Sequence, residues 1–173
     1  MKNTEIERKF LVDKKNLPNL SKMVYRDIVQ GYIQKIGGDY IYRLRQCLHF
    51  SPTGAHLGEQ YFQTIKGKEF MIREEYEIEL LKSQFSTIWP LCKNLSVNKK
   101  RYEIVLECCK IRAYLDIYKN TLSGLYTIEV EFDDEVSCKE FIKPNWFGLE
   151  VTQDYRYSNF NLAIDGIPHN LNV

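Results

Sequence analysis

Ten residues near the start of the chain, N-T-E-I-E-R-K-F-L-V from Asn3 to Val12, set two glutamates and a lysine at alternate positions. In an extended strand, successive side chains point to opposite faces, so Glu5, Glu7 and Lys9 share one face while Ile6, Arg8 and Phe10 share the other. Two carboxylates about 7 Å apart repel each other unless a cation sits close by. The same alternation recurs downstream with both signs of charge. Arg43 and Arg45 share a face, as do Thr64 and Lys66, then Arg73, Glu75 and Glu77, then Lys99 and Arg101. Asp116 lies opposite Leu115 and Ile117, and Glu129 and Glu131 alternate with Ile128, Val130 and Phe132.

For any one of these strands, a charged face is what a half-buried sheet presents to water. Taken together they are less ordinary, because a merely wetted face would mix in Ser, Thr, Asn and Gln. If the sheet closes, the acids Glu5, Glu7, Glu75, Glu77, Asp116, Glu129 and Glu131 and the bases Lys9, Arg43, Arg45, Lys66, Arg73, Lys99 and Arg101 line a polar bore. Arginine and lysine hold phosphate oxygens, arginine often with two parallel hydrogen bonds. Clustered carboxylates hold hard cations such as Mg²⁺ or Mn²⁺, which also bridge to phosphates. The pairs 5/7 and 129/131 supply such a cluster if their strands are neighbours. A small-molecule polyphosphate with a divalent metal satisfies both halves of the wall.

Eight strand-like runs must position these residues: 3–12, 24–36, 40–48, 60–66, 70–80, 97–107, 110–118 and 125–133. Turn residues separate most of them, and 50–59 reads as a loop from its Pro, Gly and Ser content. Helical spacing marks 82–94, bent or shortened by Pro90, then 134–142 and a last segment from near Asp154. This is a mainly β chain (α+β) with one long antiparallel sheet that tends to curl or close, and with helices to cover its apolar outside. A length of 173 residues suits a single domain over 1–173. Twelve tyrosines and nine phenylalanines favour a sheet-rich fold.

Lysine plus arginine number 24 against 23 acids, which gives no case for a nucleic-acid partner. No apolar run approaches the ~20 residues of a membrane span, and nothing resembles an export signal. The five cysteines (47, 92, 108, 109, 138) and three histidines (49, 56, 169) form neither a disulfide framework nor a zinc set. Reduced cysteines in a cytoplasmic protein are the expectation. Oligomeric state is not legible.

The motif E-I-E-R-K at 5–9 resembles the ExExK signature of the CYTH proteins, or triphosphate tunnel metalloenzymes. The resemblance runs almost the length of the chain, through Q-G-Y (30–32), R-L-R (43–45), T-I-K (64–66), R-E-E-Y-E (73–77), K-K-R-Y (99–102), L-D-I-Y (115–118), E-V-E-F (129–132), W-F-G-L-E-V-T (146–152) and R-Y-S-N (156–159). The last two pieces are similar to the compact bacterial tripolyphosphatase branch. The resemblance implies a closed eight-stranded antiparallel barrel whose charged tunnel binds a triphosphate with Mg²⁺ or Mn²⁺. It implies Glu5, Glu7, Glu129 and Glu131 as metal ligands, with Glu75, Glu77 and Asp116 as supporting acids. Lys9, Arg43, Arg45, Lys66, Arg73, Lys99 and Arg101 become phosphate clamps, Tyr32 a residue facing the phosphate or a packing tyrosine, and Glu7, Glu131 and Lys9 the catalytic group. Tyr155 stands where relatives often carry a lysine. The implied activity is hydrolysis of tripolyphosphate and, more slowly, of organic triphosphates. The alternatives are an adenylate cyclase of the same family and a non-catalytic polyphosphate- or nucleotide-binding module.

Overall fold

The computed structural model describes residues 2–33, 40–67, 72–106 and 111–168, with the side chains of 2–5, 40, 66–67 and 72–75 outside that description. Eight strands carry the fold: β1 (Lys2–Leu11), β2 (Tyr25–Ile33), β3 (Tyr40–Phe50), β4 (His56–Gly67), β5 (Ile72–Glu79), β6 (Ser96–Leu106), β7 (Ile111–Tyr118) and β8 (Tyr126–Phe132). All pairings are antiparallel, in the order β1-β5-β4-β3-β2-β6-β7-β8. β1 pairs with β5 on one side and β8 on the other, so the sheet closes on itself as a barrel.

Directly paired residues point to the same side of a sheet, and one set of pairs links the charged positions around the whole ring. Lys9 lies opposite Glu129, Glu129 opposite Tyr114, Asp116 opposite Arg101, Arg101 opposite Arg26 and Tyr32 opposite Arg43. Arg43 lies opposite Thr64, Thr64 opposite Glu77, and Glu5 opposite Arg73. That face is the barrel interior.

The apolar residues between them turn outward and are covered from outside. Phe10, Leu115, Ile128, Val130 and Phe132 pack against α2 (Glu135–Glu140) and the segment that follows it, through Cys138, Phe141 and Phe147. Asp134 caps α2 by accepting from Ser137 N at 2.7 Å. α1 (Lys82–Ile88) lays Phe85 on Tyr61 and Trp89, over Leu44 and Cys92. Pro90 falls in the 3-10 turn Trp89–Leu91 that ends this helix, as its missing N–H requires. Gly31 of β2 explains Q-G-Y, since a Cβ there would lie 2.7 Å from Cys92 O and 3.0 Å from the Trp89 ring.

One expectation fails. The stretch 50–59 is not all loop, because Phe50 ends β3 and His56–Glu59 begin β4, leaving 51–55 as the connection. A register shift between His49 and Phe50 lets the ladder run on, pairing His49 with Gly58 and Phe50 with His56. Bulges of this kind absorb an unpaired residue without ending a strand.

The last segment stops one end of the barrel. A 3-10 turn at Tyr155–Tyr157 leads into α3 (Asn159–Asp165), capped by Ser158. Val151, Tyr157 and Leu162 pack on Leu11, Val97, Tyr118, Leu122 and Leu125. Leu11, Val97 and Tyr118 continue the inner faces that carry Lys9, Lys99 and Asp116, so this apolar cluster closes the bore at that end. Among the described residues no helix is long and apolar enough to cross a membrane, and Cys47, Cys92 and Cys138 are free thiols.

Candidate active site

The inner wall is organised around acids that each hold two bases. Asp116 is fully buried and accepts from Lys99 Nζ at 2.7 Å, from Arg101 Nε at 2.7 Å and from Arg101 Nη2 at 2.6 Å. Across the bore, Glu77 accepts from Arg43 Nη2 at 3.1 Å, from Arg45 Nη2 at 2.9 Å and from Thr64 Oγ1 at 2.8 Å. Glu129 joins Arg101 to Lys9, the latter at 3.1 Å. Five bases are thereby held in fixed directions with little rotamer freedom left, and arginine keeps further donors for an incoming anion.

The seam between β1 and β8 answers the question raised by the paired glutamates. β1 and β8 are neighbours, with Glu7 directly opposite Glu131 and Lys9 opposite Glu129. The lysine is the cation beside the carboxylates. The seam offers oxygen donors of the kind Mg²⁺ or Mn²⁺ takes. Glu7 is buried and Glu131 opens towards solvent. Among the described residues no three His, Cys, Asp or Glu side chains form a ready-made metal cluster, so the donor set fits through this facing pair joined by other ligands. Glu129 contacts Lys9 through one oxygen and Arg101 through the other. The side chains of Glu5, Lys66, Arg73 and Glu75 lie outside the described residues, although the register pairs Glu5 with Arg73 and Lys66 with Glu75.

Burial tunes these groups in different directions. Burial lowers the Lys99 pKa to about 8, helped by Arg101, against the pull of Asp116 and Glu129. Lys9 goes the other way: burial opposes its charge, but Tyr118, Glu129 and Glu7 outweigh it and raise its pKa. Burial works against ionised Glu129, yet Lys9, Arg101 and Lys99 hold its pKa well below the usual carboxylate range. Burial raises the Tyr32 phenol to about 12. Tyr32 accepts from Gln30 Nε2 at 2.8 Å and meets the edge of Phe160 at 5.4 Å, which places it deep in the bore beside α3.

Several contributors escaped the sequence reading. Asn159 Oδ1 accepts from Tyr118 OH at 2.7 Å and lies 3.5 Å from Lys99 Nζ. Tyr157 O accepts from Lys9 Nζ at 2.9 Å. E-V-T clasps the first strand: Val151 N donates to Lys9 O at 2.8 Å, Thr152 Oγ1 accepts from Lys9 N at 3.0 Å, and Glu150 pairs with Arg8 at 2.6 Å. An inward Asn beside a lysine-bearing strand leaves no periodic trace in sequence. Tyr155 is 59% exposed and contributes its carbonyl to Asn161 Nδ2 at 2.6 Å.

No family model matches the chain. It is 38% identical over 161 residues to an inorganic triphosphatase of Nitrosomonas europaea, covering 93% of this chain and 97% of that protein. The chain belongs to the inorganic triphosphatase family. An inorganic triphosphatase of Acetivibrio thermocellus is 35% identical over 162 residues, with 92% of each chain covered. A crystal structure of a family member superposes with a TM-score of 0.65 at 37% identity, over 95% of this chain and 96% of that one. A Hippeastrum protein described as a putative adenylyl cyclase with dominant triphosphatase activity shares the fold at a TM-score of 0.56 and 13% identity, over 78% of this chain and 82% of that one.

Proposed function

We propose that this chain hydrolyses inorganic tripolyphosphate to pyrophosphate and orthophosphate, and organic triphosphates more slowly, with Mg²⁺ or Mn²⁺. The observation that carries the reading is the pair of acid hubs, Asp116 and Glu77, which aim Lys99, Arg101, Arg43 and Arg45 into one bore. A wall prearranged for anionic oxygens stabilises the charge of phosphoryl transfer without reorganising at the moment of reaction. The bore is then a tunnel for the triphosphate, stopped at one end by α3.

Glu7 and Glu131, with Glu5, would hold the divalent cation. When bound, it neutralises charge on the phosphate oxygens and acidifies water. Lys9 is kept charged by Glu129 and Glu7 and binds phosphate. Arg43, Arg45 and Arg101 orient the chain, and Lys66 and Arg73 would serve as further phosphate clamps. Glu7 and Glu131 take the proton from the attacking water as the new P–O bond forms and the bridging P–O bond breaks towards pyrophosphate, while Lys99, held by Asp116, contacts a phosphate oxygen. Glu7 and Glu131 orient that water. Tyr32 packs against this end of the substrate. A single domain working in the cytoplasm suits the free thiols of Cys47, Cys92 and Cys138.

Purified protein incubated with tripolyphosphate, ATP and thiamine triphosphate, each with Mg²⁺ and then Mn²⁺, tests the proposal. Tripolyphosphate should turn over fastest, with orthophosphate as a product, and chelator should silence the reaction. Cyclic AMP and pyrophosphate from ATP would establish the cyclase instead. Metal-dependent binding with no turnover would establish a binding module.

A further inference from the structure

The unplugged end of the bore carries an acid that the reaction does not use. Glu103 follows Arg101 by two positions on β6 and pairs in register with Tyr114, so it lies on the inner face one step closer to the mouth than Arg101. Lys99 to Glu103 spans about 13 Å of strand at ~3.3 Å per residue, more than the length of an extended triphosphate. Two guanidiniums flank this acid: Arg26 Nη2 at 3.6 Å from Oε2 and Arg112 Nε at 3.7 Å from Oε1. Arg26 also lies over the Tyr114 ring at 5.6 Å, as Arg101 does at 5.2 Å. The basic wall therefore continues to the mouth in sequence, but one carboxylate shared between two arginines halves their net charge there and draws on both guanidiniums.

We propose that Glu103 is a specificity-determining residue that ends the anion-binding wall at Arg101 and so favours triphosphates over longer linear polyphosphates. The inference rests on the polyphosphate reading above. A triphosphate seated between Lys99 and Arg101 does not reach Glu103. A fourth or fifth phosphate does, and it meets a carboxylate whose repulsion offsets about half of the attraction of Arg26 and Arg112. Both ion pairs are long and partly exposed, so their disruption costs the fold little. Their field at the mouth still decides whether an extra phosphate is welcome.

The test compares binding of tripolyphosphate and linear tetrapolyphosphate by calorimetry at low salt, without divalent metal so that neither is consumed, for the wild type, Glu103→Gln and Glu103→Gln/Arg26→Gln. Glu135→Gln, an exposed acid on α2, controls for net charge. Glu103→Gln should tighten tetrapolyphosphate roughly three- to tenfold, two exposed pairs' worth of released charge, and tripolyphosphate clearly less. The Arg26 replacement should remove part of that gain, and Glu135→Gln should show none. Equal tightening of both ligands, or of neither, overturns the proposal, as does loss of all binding in a variant that keeps the wild-type melting temperature. Metal-dependent turnover of tripolyphosphate by the wild type is scored separately. A shifted length preference without turnover would keep the length filter and remove the hydrolase, whereas turnover with an unshifted preference would do the reverse.

Discussion

Replacing Asp116 by Asn keeps the shape of the side chain and removes the charge that holds Lys99 and Arg101. Asp116 is fully buried and makes three short hydrogen bonds to those two cations. Removing one partner of a buried ion pair typically costs about 3–5 kcal/mol, because the other charge is left without compensation. Arg101 retains Glu129, and Lys99 can escape by losing its proton, so the lower end of that range, about 3 kcal/mol, applies near pH 6.5. With a urea slope of about 2 kcal/mol/M, the unfolding midpoint should fall by roughly 1.5 M. Urea carries no charge and leaves the pair unscreened. The sign of the pH dependence follows from Lys99. Its folded pKa of about 8 lies below the unfolded value of about 10.4. Wild-type Lys99 is therefore charged and paired below pH 8 and mostly neutral by pH 9, where less pairing remains to be lost. The gap between wild type and Asp116→Asn should shrink as pH rises through 8. Tryptophan fluorescence from Trp89 and Trp146 reports the unfolding. A loss under about 1 kcal/mol at pH 6.5, or a larger loss at pH 9, would refute the account of Asp116 as the hub.

Lys99→Met should leave the barrel folded by circular dichroism but lose most of its turnover, since it removes a phosphate contact that Asp116 holds in place; unchanged turnover would remove Lys99 from the substrate's path. Glu129→Gln should leave the barrel folded by circular dichroism but abolish most phosphate release, since Lys9 and Arg101 lose the acid that orients them. Arg45→Ala should raise KM for tripolyphosphate roughly tenfold or more, as expected for a charge-assisted contact of ~1.5–3 kcal/mol; unchanged KM and kcat would mean that Arg45 does not meet substrate. Gly31→Ala puts a Cβ 2.7 Å from Cys92 O and should cost about 1–3 kcal/mol of stability in thermal unfolding, with the pH–rate profile unmoved.

The sequence made the wall legible because side-chain direction in a strand has a strict period of two. Arg43 and Arg45, or Glu129 and Glu131, declare a shared face without any knowledge of their neighbours. What they do on that face was hidden, because partners come from other strands. Glu77 and Asp116 read as supporting acids, and the structure gives that phrase content in the bases they hold. Glu129 read as a metal ligand, and the structure shows it spanning Lys9 and Arg101, a pairing set by the β1–β8 register and absent from any local pattern. Pro52 and Gly54 signalled a loop correctly, but the signal was spread too widely, since a bulge carries the ladder past His49 and into His56. Asn159 and Thr152 were invisible as site residues, because their value depends wholly on where the last segment docks.

That docking ties the beginning of the chain to its end. Lys9 is bonded to Thr152 and Tyr157, partners 143 and 148 residues away, and β1 cannot complete its ladder until β8 at 126–132 exists. During synthesis the first strand therefore emerges with both edges unsatisfied; β5 can fill one of them by residue 79, and the other waits for β8. Such long-range closure places the molecule among slow folders, and its waiting edge is a template for pairing with other chains. The alternating charges of β1 then serve before any substrate is met: a strand reading Glu5, Glu7, Arg8 and Lys9 resists stacking against copies of itself while it waits.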